Sequence, residues 1–534
     1  MNFNLKKTTS SLFKTVIGSA SDLNVVGLAF LVLVTGQAKA LSVDWSGTYR
    51  FEYTEISSAY MTGIPQTSPG NLGSDFGRKG YFLNHLNLSP KIIAVDGINV
   101  VSNIEVFPSS QYPSSQLGSD FGTGPATAYG AIPSGDMGQG GTTNSGAIEV
   151  NQLYMNWNHE YGALAVGRMP VQFGLGISHN AGQGIFDHWN ENHDLVAYKF
   201  LMGNLSISPM LGRMSRTTAY AFGNQSTEGI LEVNYTNPET ESTFAIMHQI
   251  RQAGPSANNG ANFFSPYDNN NAPTVVGALN TTLTSLYIAR GWDSFKFRME
   301  AGFQSGNTGI QYSSYCGQIG GSSSSGCTAV TGANPISLSG YGIAIEMEFP
   351  ESESKWNYLL RTGIASGDNP STQNFEGFFF NRNYNLGMLL FNHPLGQNNY
   401  DVLRNGLQRN RNTSSSATNY SALYSNDQTA DESTVSNAVY LSPKFDYEIN
   451  DHFKWLNTLT YAWVQVAPSA IGASNVGTDL GLEYDIGMQY KPHPRFTWIN
   501  QLGLFFPGTV WKEGTNNRDI NTVYGWESKF ALTF

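Results

Sequence analysis

Apolar and polar residues alternate with a period of two along most of this chain. At the C-terminus Trp526, Phe530, Leu532 and Phe534 share one parity, and Glu527, Lys529 and Thr533 share the other. A strand points successive side chains to opposite faces, so this segment predicts a strand with one apolar and one polar face. Near the start, Val43, Trp45, Tyr49, Phe51 and Tyr53 alternate in the same way with Asp44, Ser46, Thr48, Arg50, Glu52 and Thr54. Leu480, Leu482, Tyr484, Ile486, Met488 and Tyr490 oppose Asp479, Gly481, Glu483, Asp485, Gly487 and Gln489. Phe295, Phe297, Met299, Ala301 and Phe303 oppose Lys296, Arg298, Glu300 and Gln304. Trp356 and Tyr358, with Leu360 beyond them, predict an interfacial belt grading into a lipid-facing surface. Between Leu195 and Leu211 the alternation is poor.

The connections carry a second regularity. Asp96-Gly97 lies between two alternating stretches and is a strong hairpin signal. Further short turns read at 158–162, Gly203-Asn204, 237–240, 291–293, 350–354, 450–452 and 492–494. Longer polar connections separate them, at about 56–78, 108–146, 171–194, 214–227, 251–279, 306–334, 367–433, 467–476 and 507–519. Eight short and nine long connections join eighteen strands, with every short turn on one side and both termini on that side too. Soluble all-β proteins have no reason to sort connections by length. The expected fold is therefore all-β, a transmembrane antiparallel β-barrel of about 18 strands with short periplasmic turns and long extracellular loops. Its last strand should pair with its first, leaving Phe534 facing lipid at the periplasmic rim.

Composition fits that reading. Hydrophobic residues make up 40% and aromatics 13%, yet mean hydropathy is -0.27 and charged residues are only 13%; the globular norm for charge is roughly 25%. Apolar-faced strands diluted by long Gly/Ser/Asn/Thr loops give this balance. The one long apolar run, Val25 to Val34, falls short of the roughly 20 residues a membrane helix needs. Lys6, Lys7 and Lys14 precede it and Ala38-Lys39-Ala40 follows, which predicts a signal peptide over 1–40 cleaved between Ala40 and Leu41. The mature domain is then a single outer-membrane barrel over 41–534. Cleavage removes four lysines and one aspartate, moving the formal net charge from -11 to -14 and speaking against nucleic acid as a partner. Cys316 and Cys327 lie in a Gly/Ser-rich stretch, where an oxidising compartment predicts a small-loop disulfide.

The closing segment also resembles the C-terminal signal strand of bacterial outer-membrane proteins, with Phe534 in the terminal aromatic position and Trp526, Phe530 and Leu532 on the same face. That resemblance implies integral location in a Gram-negative outer membrane, with lipid, lipopolysaccharide and the barrel-assembly machinery as partners. It is porin-like, and in porins the third long loop narrows the channel. Here the third loop runs Val171-Gln172-Phe173-Gly174-Leu175-Gly176-Ile177 and on to Ala181-Gly182-Gln183-Gly184-Ile185-Phe186-Asp187-His188-Trp189. The resemblance gives it a constriction role. A second likeness is to the alginate-export type of eighteen-stranded barrel, carried by Ser366-Gly367-Asp368 after a strand and by the Phe-rich stretch Phe375 to Phe380. It implies export of a polysaccharide or oligosaccharide. Such exporters use an arginine-rich lumen, and here the sequence departs from them.

The polar strand faces carry Asp44, Glu52, Glu105, Glu300, Glu346, Glu348, Asp446, Glu448, Asp479, Glu483, Asp485 and Glu527 against Arg50, Arg168, Arg298, Arg361, Lys444 and Lys529. The expected function is a porin-like channel for passive diffusion of small hydrophilic solutes, with a mild cation preference. The constriction is expected from Asp187, His188, Glu191 and Asp194 on the 171–194 loop, set against Arg50, Arg168, Arg298 and Arg361. The cluster Asp187, His188, Glu191, His193 and Asp194 could also ligate a metal, but no pair has rigid spacing, and neither metal nor cofactor is assigned. The aromatics of the 367–433 loop could pack over the mouth, stack on sugars or hold the loop together, and packing is the expected role. No GxSxG or comparable signature is present, so a barrel enzyme is the lesser alternative, as is an adhesive anchor. Monomer and homotrimer both remain open.

Overall fold

The computed structural model describes residues 42–58, 61, 79–106, 119–120, 148–188, 190–216, 225–254, 274–275, 277–311, 337–350, 354–367, 374–393, 395, 434–466, 477–511 and 520–534. The expected signal peptide, its expected cleavage site at Ala40 and Leu41, and Cys316 and Cys327 of the expected disulfide lie outside them.

Eighteen strands run in chain order. The first six are β1 (Gly47–Ser57), β2 (Lys79–Leu88, continued by Lys91–Val95), β3 (Ile98–Val106), β4 (Ile148–His159), β5 (Gly162–Pro170) and β6 (Asn192–Met202). Then come β7 (Leu205–Arg216), β8 (Gln225–Asn237), β9 (Ser242–Ala253), β10 (Leu279–Trp292), β11 (Phe295–Asn307) and β12 (Tyr341–Phe349). The last are β13 (Trp356–Ala365), β14 (Ala438–Glu448), β15 (Phe453–Val464), β16 (Asp479–His493), β17 (Phe496–Pro507) and β18 (Val523–Thr533). Each pairs antiparallel with the next, and β18 returns to β1 with Thr48 opposite Thr533 and Ser57 opposite Tyr524. The sheet closes, so no strand edge is left for lipid to meet.

The seam is sealed at the periplasmic end by two backbone bonds, Gly47 N to Phe534 O at 2.9 Å and Phe534 N to Gly47 O at 3.0 Å. A Cβ on Gly47 would lie 2.6 Å from the Phe534 ring, so only glycine admits the terminal aromatic there. Phe51 stacks on Phe530 across the same seam at 5.2 Å.

The outer face is apolar with aromatic ends, as an outer-membrane barrel requires. Trp45, Trp157, Tyr161, Trp292, Phe349, Tyr358 and Trp455 are exposed near the short turns, and Phe303, Trp463, Phe506, Tyr524 and Trp526 near the long loops. Val166, Val196, Leu211, Leu231, Ile246 and Leu502 fill the band between.

The weak alternation of 195–211 has a physical reason. Behind β5 to β9 part of the inner face is apolar as well: Met169, Leu195, Ile230 and Met247 are buried in one cluster with Val171 and Phe173 of the following loop. A strand covered on both faces loses its period of two.

Candidate functional site: two loops folded into the lumen

Two long connections turn inward and meet inside the barrel. The first, 171–191 between β5 and β6, crosses from the β10–β11 wall to the β1–β3 wall. Gly174 (φ 50°) and Gly176 (φ 83°) take left-handed conformations that favour glycine. The turn they shape aims three consecutive amides at one wall carboxylate, Glu300 of β11. Gly176 N, Ile177 N and Ser178 N donate to it at 2.8, 3.2 and 3.0 Å, and the Ser178 hydroxyl at 2.5 Å. Such an arrangement is a backbone anion nest, filled by the protein's own side chain. At the far wall Arg50 donates to the Asp187 carbonyl. His188 Nε2 sits 2.9 Å from both Glu52 carboxylate oxygens, and Asn190 Nδ2 donates to Glu105 Oε1 at 3.1 Å. Burial pushes the Asp187 carboxyl above its ordinary value, against the pull of the Gly184 amide and of Arg50.

The second inner loop lies between β13 and β14, and its aromatic part is buried in the interior rather than resting on the mouth. Ser366 starts it inward by accepting from Tyr341 N at 2.8 Å and donating to Glu376 O at 2.6 Å; Asp368 lies outside the described residues. Phe378, Phe380, Tyr384, Leu386, Met388, Leu389, Leu390 and Phe391 are buried in one cluster with the inner wall. Glycine makes room for them: a Cβ on Gly342 would lie 2.5 Å from the Phe378 ring, and one on Gly525 2.6 Å from Leu389. Here too wall carboxylates hold backbone amides. Leu389 N and Leu390 N donate to Glu483 at 2.7 and 2.6 Å, and Met388 N to Asp485 at 3.0 Å. Arg361 fixes the preceding turn by donating to Asn385 O at 2.8 Å and Leu386 O at 2.6 Å. The loops touch where Asn381 N donates to Ile177 O at 2.8 Å and Asn381 Nδ2 to Glu191 Oε2 at 3.1 Å.

The expected constriction residues therefore divide. Arg50, Asp187 and His188 come together, and Arg361 serves the other loop. Arg298 is inward but paired, 2.9 Å from Glu346 and 3.9 Å from Glu348. Arg168 and Asp194 form a pair at 2.7 Å on the other side of the wall. They share the parity of Val166 (36% exposed) and Val196 (52% exposed), so they face outward and do not line the lumen. Glu191 and His193 meet a residue the sequence pattern did not mark, His179. Burial pushes the His179 imidazole down to about 4, so it is neutral. Burial raises the Glu191 carboxyl, but His179 and His193 more than offset this and hold it below the ordinary carboxylate value.

Glu52, Glu105, Glu300, Glu483, Asp485 and Glu527 are all buried. Among the described inward acids, Glu346 and Glu348 keep part of their side chains open to water beside Arg298. Removing Arg298 should unmask them. A unit charge is worth about 1 kcal/mol at 4 Å in water, so Arg298→Gln should raise the cation-to-anion permeability ratio severalfold, read as a reversal-potential shift in a salt gradient. Arg168→Gln, on the outer face, should leave the reversal potential unchanged.

Neither a protein-family model nor a curated protein matches the sequence. Among solved structures, Pseudomonas aeruginosa OccK8 (OprE) overlaps 92% of this chain and 98% of its own at 8% identity and a TM-score of 0.45. P. aeruginosa OccK2 (OpdF) overlaps 92% and 98% at 9% identity and a TM-score of 0.44. The outer membrane channel DcaP of Acinetobacter baumannii overlaps 93% and 99% at 10% identity and a TM-score of 0.40. The superpositions are loose, and nothing about their solutes passes to this chain.

Proposed function

We propose that the protein is a porin-like channel of the bacterial outer membrane, through which small hydrophilic solutes diffuse passively past a constriction built by the two inner loops. The observation that carries this reading is the mooring of both loops. A barrel serving only as an anchor needs no lumen filling, whereas here carboxylates of β11 and β16 accept the backbone amides of two loops inside the barrel. Below the second loop a cavity of ≈ 170 Å³ remains, lined by Arg361, Lys444, Thr458, Asp485, Gln501 and Lys529 among others. At roughly 30 Å³ per water that is room for five or six waters. Two loops meeting across the lumen favour short solutes over a polysaccharide chain. With residues 1–40 removed as a signal peptide, β18 is the segment offered to the barrel-assembly machinery, and the long loops face the lipopolysaccharide leaflet.

Purified protein in planar bilayers should give discrete conductance steps. Proteoliposome swelling should admit monosaccharide-sized solutes and exclude oligosaccharides. Absence of steps from a sample whose gel mobility shifts on boiling, the mark of a folded barrel, would remove the channel reading.

A further inference from the structure

The first inner loop ends in an arrangement that the channel reading leaves unused. His179 and Glu191 belong to the loop and His193 to the second position of β6, and one potential ligand atom of each lies within 4.8 Å of the others. We propose that these three residues bind one divalent transition-metal ion of the zinc class, which fastens the constriction loop to the barrel wall.

The donor atoms are divided as a metal site requires. Glu191 Oε2 is occupied by Asn180 N and Asn381 Nδ2, both at 3.1 Å. Its Oε1 faces His193 Nε2 at 3.2 Å and His179 Nε2 at 3.8 Å. Tetrahedral zinc with bonds of about 2.0–2.1 Å sets its ligand atoms roughly 3.3 Å apart. One edge already has that length, and the others close by a small rotation of His179.

The outer partners are also present. His193 Nδ1 bonds Glu228 Oε2 at 2.6 Å, and Glu228 Oε1 accepts from Gln249 Nε2 at 2.6 Å and Arg251 Nε at 2.8 Å. A carboxylate on the far nitrogen of a ligating histidine fixes its tautomer and turns the near nitrogen's lone pair toward the metal. Two imidazoles and a carboxylate suit zinc better than calcium or magnesium, which prefer all-oxygen shells.

A His193 imidazolium that donates Nδ1–H to Glu228 and Nε2–H to Glu191 is the rival account. It satisfies His193 but not the buried His179, whose Nε2, the nitrogen the metal would take, has no hydrogen-bond partner among the described residues. Its Nε2 stands beyond hydrogen-bonding reach of Glu191. A buried imidazole left so costs stability unless something else engages it. A metal ion engages it.

The site stands whether or not the barrel conducts, so its test is binding. The whole mature barrel, purified in detergent and stripped with a chelator, is titrated with Zn²⁺ and separately with Co²⁺. One ion per chain should survive gel filtration. The Co²⁺ form should show the visible bands of a low-coordinate nitrogen/oxygen site without thiolate charge transfer. His179→Ala should weaken binding at least about 10-fold. Glu228→Gln, which keeps all three ligands, should weaken it by roughly 10- to 100-fold. Both variants are first checked for heat-modifiable gel mobility, and Glu228→Gln carries the test if His179→Ala does not fold. No retained ion would overturn the site, as would binding unchanged in the folded variants. Binding abolished by Cys316→Ser with Cys327→Ser would overturn it as well.

Discussion

Glu300→Ala is expected to unseat the first inner loop and raise single-channel conductance severalfold, with the barrel itself intact. The wild-type carboxylate receives Gly176 N, Ile177 N, Ser178 N and the Ser178 hydroxyl. Hydrogen bonds to a charged group contribute about 1.5–3 kcal/mol each, so the four together contribute roughly 6–12 kcal/mol. At the β11 end, what would still hold the turn inward is mainly Val171, Phe173 and Ile177, at roughly 1.5–3 kcal/mol for each buried side chain. The far end stays moored through Arg50, His188 and Asn190, so it is the 174–178 turn that is set free. Leaving the loop seated would also strand three buried amides without an acceptor, and release returns them to water. The balance favours release. The β10–β11 and β11–β12 ladders depend on backbone groups and lose nothing, so boiled and unboiled samples should still differ in mobility. Glu300→Gln keeps one acceptor oxygen and should fall between the two. Wild-type conductance from a folded Glu300→Ala barrel would show that this carboxylate does not hold the constriction.

The barrel was legible because its rule is local. Each strand need only alternate, each short turn need only be short, and closure follows when β18 finds β1. The interior was not legible, because alternation says which residues point inward and not what they meet there. Glu300, Glu483 and Asp485 stand on the polar parity as expected, and on that ground they counted as pore charges. Their partners are main-chain amides of loops more than ninety residues away in sequence, and amides leave no mark on a sequence. Arg168 could have been placed correctly from its own strand, since it shares parity with Leu164 and Val166, and an arginine–aspartate pair at the long-loop rim is compatible with the outer surface. His179 carries no periodic signal at all. It belongs to an irregular turn, and only the folded loop brings it to Glu191. The poor alternation of 195–211 was itself information: an apolar inner face means that something covers it.

The second inner loop should answer differently to the loss of its carboxylates. In a double variant, Glu483→Ala with Asp485→Ala, the amides of Met388, Leu389 and Leu390 lose their acceptors. Three buried unsatisfied amides cost roughly 3–9 kcal/mol. Against this, Met388, Leu389, Leu390 and Phe391 stay buried, at roughly 1.5–3 kcal/mol each, and Arg361 still holds Asn385 O and Leu386 O. The retaining side is the larger but the two ranges overlap, so the loop should exchange between seated and unseated positions rather than leave. Single-channel records should then gain a second, larger conductance level visited repeatedly, where wild type shows one. Adding Arg361→Ala removes two more bonds to the same segment and should tip the exchange toward the larger level. A double variant that keeps one steady wild-type level would mean that apolar packing alone seats this loop. In that case the two wall acids would be dispensable to the constriction, and Glu300 would be the only carboxylate among these three on which a loop depends.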